Sequence, residues 1–131
     1  MGTDDVERWF GEYLAAYAAC GRGETGTEAL LAYYGDPLLI TTDGGYFPLA
    51  GGPRIVAGVG PQIEAMRQAG YHHTEVLDFT ITPINAKSAL YRGTFSWQRA
   101  DGTEFNRPTA TYLITDGPAG RRISVLAVHG A

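Results

Sequence analysis

Residues 88–115 read SALYRGTFSWQRADGTEFNRPTATYLIT. The dipeptide Asp101-Gly102 favours a tight turn, so the two halves of this stretch are expected to pair as an antiparallel hairpin. We place Arg99 opposite Glu104, which sorts the side chains by face because successive residues of a strand point to opposite sides. One face is then apolar and aromatic, pairing Trp97 with Asn106, Phe95 with Pro108, Gly93 with Ala110, Tyr91 with Tyr112 and Ala89 with Ile114. The other face carries arginine, threonine, serine and glutamine, so the hairpin needs a cover on its apolar side.

Two further long strands, about residues 72–84 and 121–129, flank this hairpin and extend it to four antiparallel strands. Matching apolar side chains on one face pairs Ile81 with Tyr91 and Ile114 with Ile123. Counting alternate positions outward from these pairs places Leu77 beside Phe95, Glu75 beside Trp97, Val125 beside Tyr112 and His129 beside Pro108. The group expected at one end of the face is therefore His73, Glu75, Trp97, Asn106 and His129. Because sheets twist and curve, this end is expected at the mouth or floor of a concavity.

The elements that could cover the sheet lie upstream. An apolar stripe at spacings of three and four predicts an amphipathic helix to about residue 19, with the members Val6, Trp9, Phe10, Tyr13, Leu14 and Tyr17. A capping-box spacing from Thr25 to Glu28 predicts a second, shorter helix that includes Tyr34. A short strand pair, 38–42 and 46–49, precedes a third helix that opens at Gly60-Pro61 and has Met66 on its inner face. Because helices and strands are segregated along the chain, we predict one α+β domain over residues 1–131.

The bulk composition excludes several classes of protein. The chain has 131 residues and a net charge of −4, so it lacks the basic surface that nucleic-acid binding needs. No apolar run approaches the length of a membrane-spanning helix, and the acidic N-terminus does not resemble a secretory signal. A lone Cys20 leaves no partner for a disulfide. We therefore expect a cytoplasmic protein with neither nucleic acid nor membrane as a partner.

The order of elements and several short motifs resemble the nuclear-transport-factor-2-like superfamily, in particular its SnoaL-like, or polyketide-cyclase-like, branch. The motifs are Trp9-Phe10-x-x-Tyr13-Leu14, Tyr34-Gly35-Asp36-Pro37, Gly70-Tyr71, Gly102, Tyr112-Leu113-Ile114 and Arg122-Ile123…His129. The resemblance implies a cystatin-like roll, in which a cone-shaped, curved antiparallel sheet is covered by three helices from the N-terminal half. It also implies a cavity between helices and sheet, and homodimers formed through the outer sheet face.

The superfamily includes ketosteroid isomerases, scytalone dehydratases, limonene epoxide hydrolases, aldol cyclases and proteins that only bind, so the fold alone does not select a function. The isomerase chemistry requires a carboxylate base, a tyrosine and a protonated carboxylic acid. The resemblance places Thr42 at the position of the base, while Tyr13 or Tyr17 could supply the tyrosine. The epoxide hydrolase arrangement requires two inward acids bridged by an arginine, and here Glu75 is the single acid predicted to point inward on the long strands.

Three functions remain open at this stage. The first is a domain that binds a small hydrophobic or cyclic metabolite, with the candidate ligand-binding residues Tyr13, Tyr17, Thr42, Met66, His73, Tyr91, Phe95, Trp97, Asn106 and Tyr112. The second is a cofactor-independent isomerase, dehydratase or cyclase in which His129 or Glu75 moves the proton and Tyr13 or Tyr17 steadies an oxyanion. The third is a dimeric association module.

No cofactor or metal is expected from the sequence. Gly21-x-Gly23-x-x-Gly26 matches the dinucleotide-binding fingerprint in letters, but it follows a predicted helix where that fingerprint follows a strand. His72 and His73 suggest a metal site, yet neighbouring residues of a regular strand point to opposite faces and could not share one ion.

Overall fold

The computed structural model describes residues 1–130. Two α-helices and a 3₁₀ helix precede most of a curved, seven-stranded mixed sheet. The elements are α1 Thr3–Gly21, the 3₁₀ helix Thr27–Ala32, β1 Tyr34–Thr42, β2 Gly45–Leu49, α2 Gly52–Gln68, β3 Tyr71–Asn85, β4 Ser88–Arg99, β5 Glu104–Asn106, β6 Thr109–Gly117 and β7 Gly120–Val128. The sheet order is β2-β1-β7-β6-β4-β3, with β5 paired to β4. The predicted α+β class is confirmed, although the sheet is mixed because β1 runs parallel to β7.

The three helical segments lie where the sequence predicted helices, with different bounds. Helix α1 buries Val6, Phe10 and Tyr13, which follow one another at helical spacing. Helix α2 begins at Gly52, eight residues earlier than the predicted Gly60, because Pro53 occupies a first-turn position that tolerates proline. Tyr34 belongs to β1 and not to the second helix. Among the described residues, no helix is both long and apolar enough to cross a membrane.

The central hairpin has the predicted register over most of its length. Tyr91 pairs with Tyr112, and Trp97 pairs with Asn106. The predicted pairing of Arg99 with Glu104 is wrong, because Glu104 pairs with Gln98 across an irregularity. The second arm is split into β5 and β6 at Pro108, since proline has no N–H to give to a ladder.

Two bulges change which side chains face inward on the neighbouring strands. The predicted pairs of Ile81 with Tyr91 and of Ile114 with Ile123 are confirmed. In β3 the register then shifts by one residue at Leu77, which lies between the paired residues Val76 and Asp78. In β7 it shifts by one residue at Ser124, between Ile123 and Val125. Because each bulge adds one residue to a strand, every side chain beyond it faces the opposite side from the one a regular strand would give.

The concave face has two contrasting ends. At the packed end, defined here by Val6, Phe10, Tyr91 and Phe79, helix α1 lies directly on the sheet. The Phe10 and Tyr91 rings stack with their centroids 3.7 Å apart, and the Phe79 ring also stacks with Tyr91, at 5.6 Å. At the hollow end, which begins at Tyr13, helices and sheet separate and enclose a cavity.

Candidate ligand-binding cavity

The hollow end contains a cavity of about 460 Å³ between α1, α2 and the concave face of the sheet. Such a volume suits a small organic molecule. Its walls are mostly apolar and aromatic. The lining residues are Tyr13, Leu14, Tyr17, Tyr34, Ile40, Thr42, Phe47, Leu49, Gly58, Val59, Gln62, Thr74, Phe95, Trp97, Asn106, Pro108, Ala110, Tyr112, Leu126 and Val128.

Tyrosine hydroxyls form the polar part of the inner wall. The hydroxyls of Tyr13 and Tyr34 lie 2.8 Å apart and share a buried hydrogen bond. Burial raises the pKa of both phenols well above the usual value, since the charged form would lose its hydration. Both hydroxyls are therefore neutral at physiological pH and are available as hydrogen-bonding groups.

Two more tyrosines carry hydroxyls that the protein leaves open to the cavity. Burial also raises the pKa of Tyr17 and Tyr112. Within residues 1–130, no side chain or backbone group hydrogen-bonds either hydroxyl. This part of the chain also has no buried polar side-chain atom that lacks a partner, so neither hydroxyl is fully buried. Each hydroxyl therefore reaches open space, where a ligand or water can bind it.

The mouth of the cavity is marked by its exposed lining residues. Phe47 and Val128 are 45% and 39% exposed. Thr42, Gln62 and Asn106 supply neutral polar groups in the same region. The described lining includes no carboxylate, imidazole, ammonium or guanidinium group, so both the inner wall and the mouth are uncharged.

The structure brings seven of the predicted binding residues together at this cavity. They are Tyr13, Tyr17, Thr42, Phe95, Trp97, Asn106 and Tyr112. Met66 and Tyr91 are buried in the core instead, with 1% and 3% exposure. Tyr91 points inward as expected, but its ring belongs to the packed end, where it stacks on Phe10.

The residues predicted to supply acid–base chemistry do not line the cavity. Glu75 pairs with Ser96, and its carboxylate accepts a hydrogen bond of 2.9 Å from Gln98 Nε2 at the surface. His73 pairs with Gln98, on the same outer side of the strand. The prediction that these two residues face inward is wrong because the β3 bulge lies between them and the correctly paired Ile81.

His129 lies outside the cavity for the same reason. Its Nε2 atom and the Thr111 hydroxyl are 2.7 Å apart at the surface, on the outer side of the sheet. The extra residue in β7 places Leu126 opposite Tyr112, where a regular strand would place Val125. Leu126 and Val128 consequently line the cavity, and the predicted inward position of His129 is wrong.

Several lining residues are not among those predicted from the sequence. Thr74 pairs with Trp97 at the position predicted for Glu75. Tyr34 lies in β1 and not in the predicted second helix, and the following Gly35-Asp36-Pro37 is a signal for an extended segment before the proline. Gln62 lies three residues after Val59 on the inner side of α2, and the helical spacing within that segment could have found it.

Comparison with known proteins identifies the fold. The model of a family described as NTF2-like protein (DUF6841) matches residues 4–131. No curated protein matches the chain. An NTF2-like protein of unknown function from Shewanella oneidensis MR-1 superposes with a TM-score of 0.69 at 17% identity, covering 98% of each chain.

Two further solved structures share the fold at low identity. A candidate calcium/calmodulin-dependent protein kinase II association domain from Xanthomonas campestris has a TM-score of 0.70 at 12% identity, covering 100% of this chain and 89% of that chain. A candidate ketosteroid isomerase from Shewanella frigidimarina has a TM-score of 0.62 at 13% identity, covering 91% and 93%. These likenesses show the fold alone, and the SnoaL-like branch stays a prediction.

Proposed function

We propose, for a chain that belongs to the NTF2-like family DUF6841, that the cavity binds a small, uncharged and largely apolar cyclic molecule. The observation that carries the proposal is the character of the wall. Aromatic and aliphatic side chains enclose about 460 Å³, and every polar group on the wall is neutral.

The absence of lining charge selects against charged ligands. Moving an ionised carboxylate or ammonium out of water is costly unless an opposite charge receives it. The described lining residues offer no such group. A neutral ring system avoids this cost and gains from contact with Phe95, Trp97 and Tyr112.

Polar anchors at the two ends of the cavity would orient such a ligand. At the inner end, the hydroxyls of Tyr17 and Tyr112 are open and could donate to a carbonyl or hydroxyl oxygen of the ligand. At the mouth, Gln62 and Asn106 carry amides that can both donate and accept. A ligand with one polar atom at each end of a flat ring system satisfies both groups.

Binding explains this cavity better than acid–base catalysis does. A general acid or base has to titrate near the working pH. The titratable groups of the lining are tyrosines whose pKa values lie above the normal value because they are buried. Glu75 and His129, the other candidates for proton transfer, lie on the outer side of the sheet.

The proposal is tested by comparing 2-naphthol, a neutral bicyclic phenol, with 2-naphthoate, a carboxylate of similar size. We expect 2-naphthol to raise the melting temperature, followed by circular dichroism, because a ligand that binds the folded state stabilises it. 2-Naphthoate should give little or no shift. Equal shifts by both compounds, or none with either compound or with other neutral aromatic probes, would contradict the proposal.

Two variants locate the binding to the cavity. Ala110→Phe places a ring into the lined space, and Val128→Trp narrows the mouth from a partly exposed position. Both should remove the 2-naphthol shift. Ala57→Phe, on an exposed position of α2 outside the lining, is the matched control and should retain the shift.

The homodimer implied by the superfamily remains part of this proposal. Its predicted surface, the outer sheet face, carries hydroxyl pairs such as Thr94 with Thr109 and Thr115 with Ser124. Light scattering on the purified protein distinguishes a monomer from a dimer. Because the cavity lies on the other side of the sheet, ligand binding does not depend on the outcome.

A further inference from the structure

Two adjacent histidines at the start of β3 point their ring nitrogens at each other. The Nδ1 atoms of His72 and His73 lie 3.0 Å apart, and the ring planes are nearly perpendicular, at 87°. In a regular strand these side chains would diverge to opposite faces. Here Tyr71 pairs with Arg99 and His73 pairs with Gln98, so His72 is an extra residue in β3.

Because of this bulge, the two imidazoles are not held on opposite faces of the strand, and one ion can contact both. A bulge re-aims the side chains next to it, and in this strand it brings two imidazole donors to one point. The Nδ1–Nδ1 hydrogen bond requires a proton on one of the two nitrogens and a lone pair on the other. In the tautomer that carries its proton on Nε2, each ring has a lone pair on Nδ1, so both Nδ1 atoms can bind one ion.

We propose that His72 and His73 form a two-histidine site for a divalent transition metal of the copper(II) or nickel(II) class. The site lies at the surface, outside the cavity lining, and is independent of the proposed ligand.

The separation of the donors favours these metals by geometry. With metal–nitrogen bonds of about 2.0 Å, nitrogens 3.0 Å apart subtend an angle of about 95° at the metal. This angle suits neighbouring positions of a square-planar or tetragonal ion, which is the preference of copper(II) and nickel(II). Zinc prefers a tetrahedral arrangement, which needs the two nitrogens farther apart. Copper(II) also binds nitrogen ligands more strongly than nickel(II) or zinc does.

The surroundings hold the pair in place and leave room for solvent ligands. Arg22 Nη1 donates to the His72 carbonyl oxygen at 3.0 Å, which ties the bulge to the end of α1. The Glu24 carboxylate accepts a hydrogen bond of 2.9 Å from Arg22 Nε and balances the arginine charge. Among the described residues no third histidine, cysteine or carboxylate completes a cluster, so water would fill the remaining positions. The metal is therefore expected to exchange freely.

Copper(II) chloride titrated into the full chain, in a buffer that does not coordinate copper, tests the site. Calorimetry gives the stoichiometry, and electron paramagnetic resonance reports nitrogen ligands on the copper. We expect one copper per chain with a two-nitrogen signature. His72→Ala and His73→Ala should each weaken binding by at least about tenfold and remove one nitrogen from the spectrum.

The chain supplies its own control, because His129 is the third and last histidine. His129→Ala should leave the affinity and the spectrum unchanged, and melting curves of all three variants show that they fold. Loss of copper binding in His129→Ala, or unchanged binding and spectra in His72→Ala and His73→Ala, would overturn the proposal. Zinc binding tighter than copper binding would overturn the geometric argument. The melting shift with 2-naphthol should be the same in all three variants.

Discussion

The packed and hollow ends of the concave face use the same kinds of residue for different purposes. At the packed end, Phe10 is 1% exposed and touches Tyr91 face to face and Tyr112 edge to face. At the hollow end, Tyr17, Phe95 and Trp97 surround space that no side chain fills. Helix α1 covers both ends, and the difference is that its side chains touch the sheet at the packed end, whereas a cavity separates helices and sheet at the hollow end. We infer that the packed end contributes most of the stability and that the hollow end is available for binding.

Alkaline pH should act most strongly, and chiefly through the hollow end. Burial raises the pKa of Tyr13, Tyr17, Tyr34 and Tyr112, whereas the unfolded value is about 10. Because the folded pKa values are higher, the stability from the neutral phenols is complete below pH 10 and is lost as the pH rises above it. Between its unfolded and its folded pKa, each tyrosine lowers the free energy of unfolding by up to about 1.4 kcal/mol per pH unit.

Urea unfolding at a series of pH values from 8 to 11.5 measures this loss. Absorbance at 295 nm follows phenolate formation in the folded protein, and the chain has 8 tyrosines to follow. If all the tyrosines ionised together near pH 10 in a folded protein, the phenols of the hollow end would not be buried as described.

Truncating the packed end should give the largest effect of a single substitution. Phe10→Ala removes a ring that contacts Tyr91 at 3.7 Å and Tyr112 at 4.7 Å between centroids. Burial of this kind is typically worth about 3–5 kcal/mol of unfolding free energy. Phe79→Ala is the matched control, because Phe79 stacks on the same Tyr91 but is 41% exposed. Similar losses for the two variants in urea unfolding would break the contrast between the ends.

The boundary between the two ends depends on a residue without a side chain. A Cβ at Gly93 would lie 2.6 Å from Phe95 Cζ and 2.9 Å from Tyr91 Cε1, closer than such atoms approach. Gly93→Ala should therefore cost about 1–3 kcal/mol by overpacking. Gly117→Ala, in β6 with nothing within 4 Å of its Cβ position, should be nearly neutral in the same unfolding measurement. If Gly93→Ala left the free energy of unfolding unchanged, the Phe95 and Tyr91 rings would be free to move aside, and the packing at this boundary would not be tight.

The central hairpin and α1 could be predicted from the sequence because alternation and helical spacing are direct physical signals. Tyr91 opposite Tyr112 and the inward Phe10 follow from period alone. The start of α2 could not be placed in the same way, since Gly51-Gly52-Pro53 suits a loop and a helix start equally well.

The candidate acid–base residues could not be placed correctly from the sequence, because the face that each occupies depends on bulges. Leu77 in β3, Ser124 in β7 and His72 are ordinary strand residues in type, and nothing in their identity signals an inserted position. Each bulge nevertheless reverses the faces of the residues beyond it. For this reason Thr74 lines the cavity at the position predicted for Glu75, and the cavity wall lacks the acid–base groups that the sequence predicted.

The smallest predicted effect concerns the buried hydrogen bond on the inner wall of the cavity. The hydroxyls of Tyr13 and Tyr34 share a bond of 2.8 Å, and each ring otherwise packs against apolar neighbours. Removing one hydroxyl leaves its partner in a buried place, so Tyr13→Phe or Tyr34→Phe should each cost about 1 kcal/mol. Replacing both removes the two polar groups together, and the double variant should lose less than the sum of the single losses. Urea unfolding of the four proteins closes the cycle. Additive losses would contradict the shared hydrogen bond, because they would show that each hydroxyl has a separate partner.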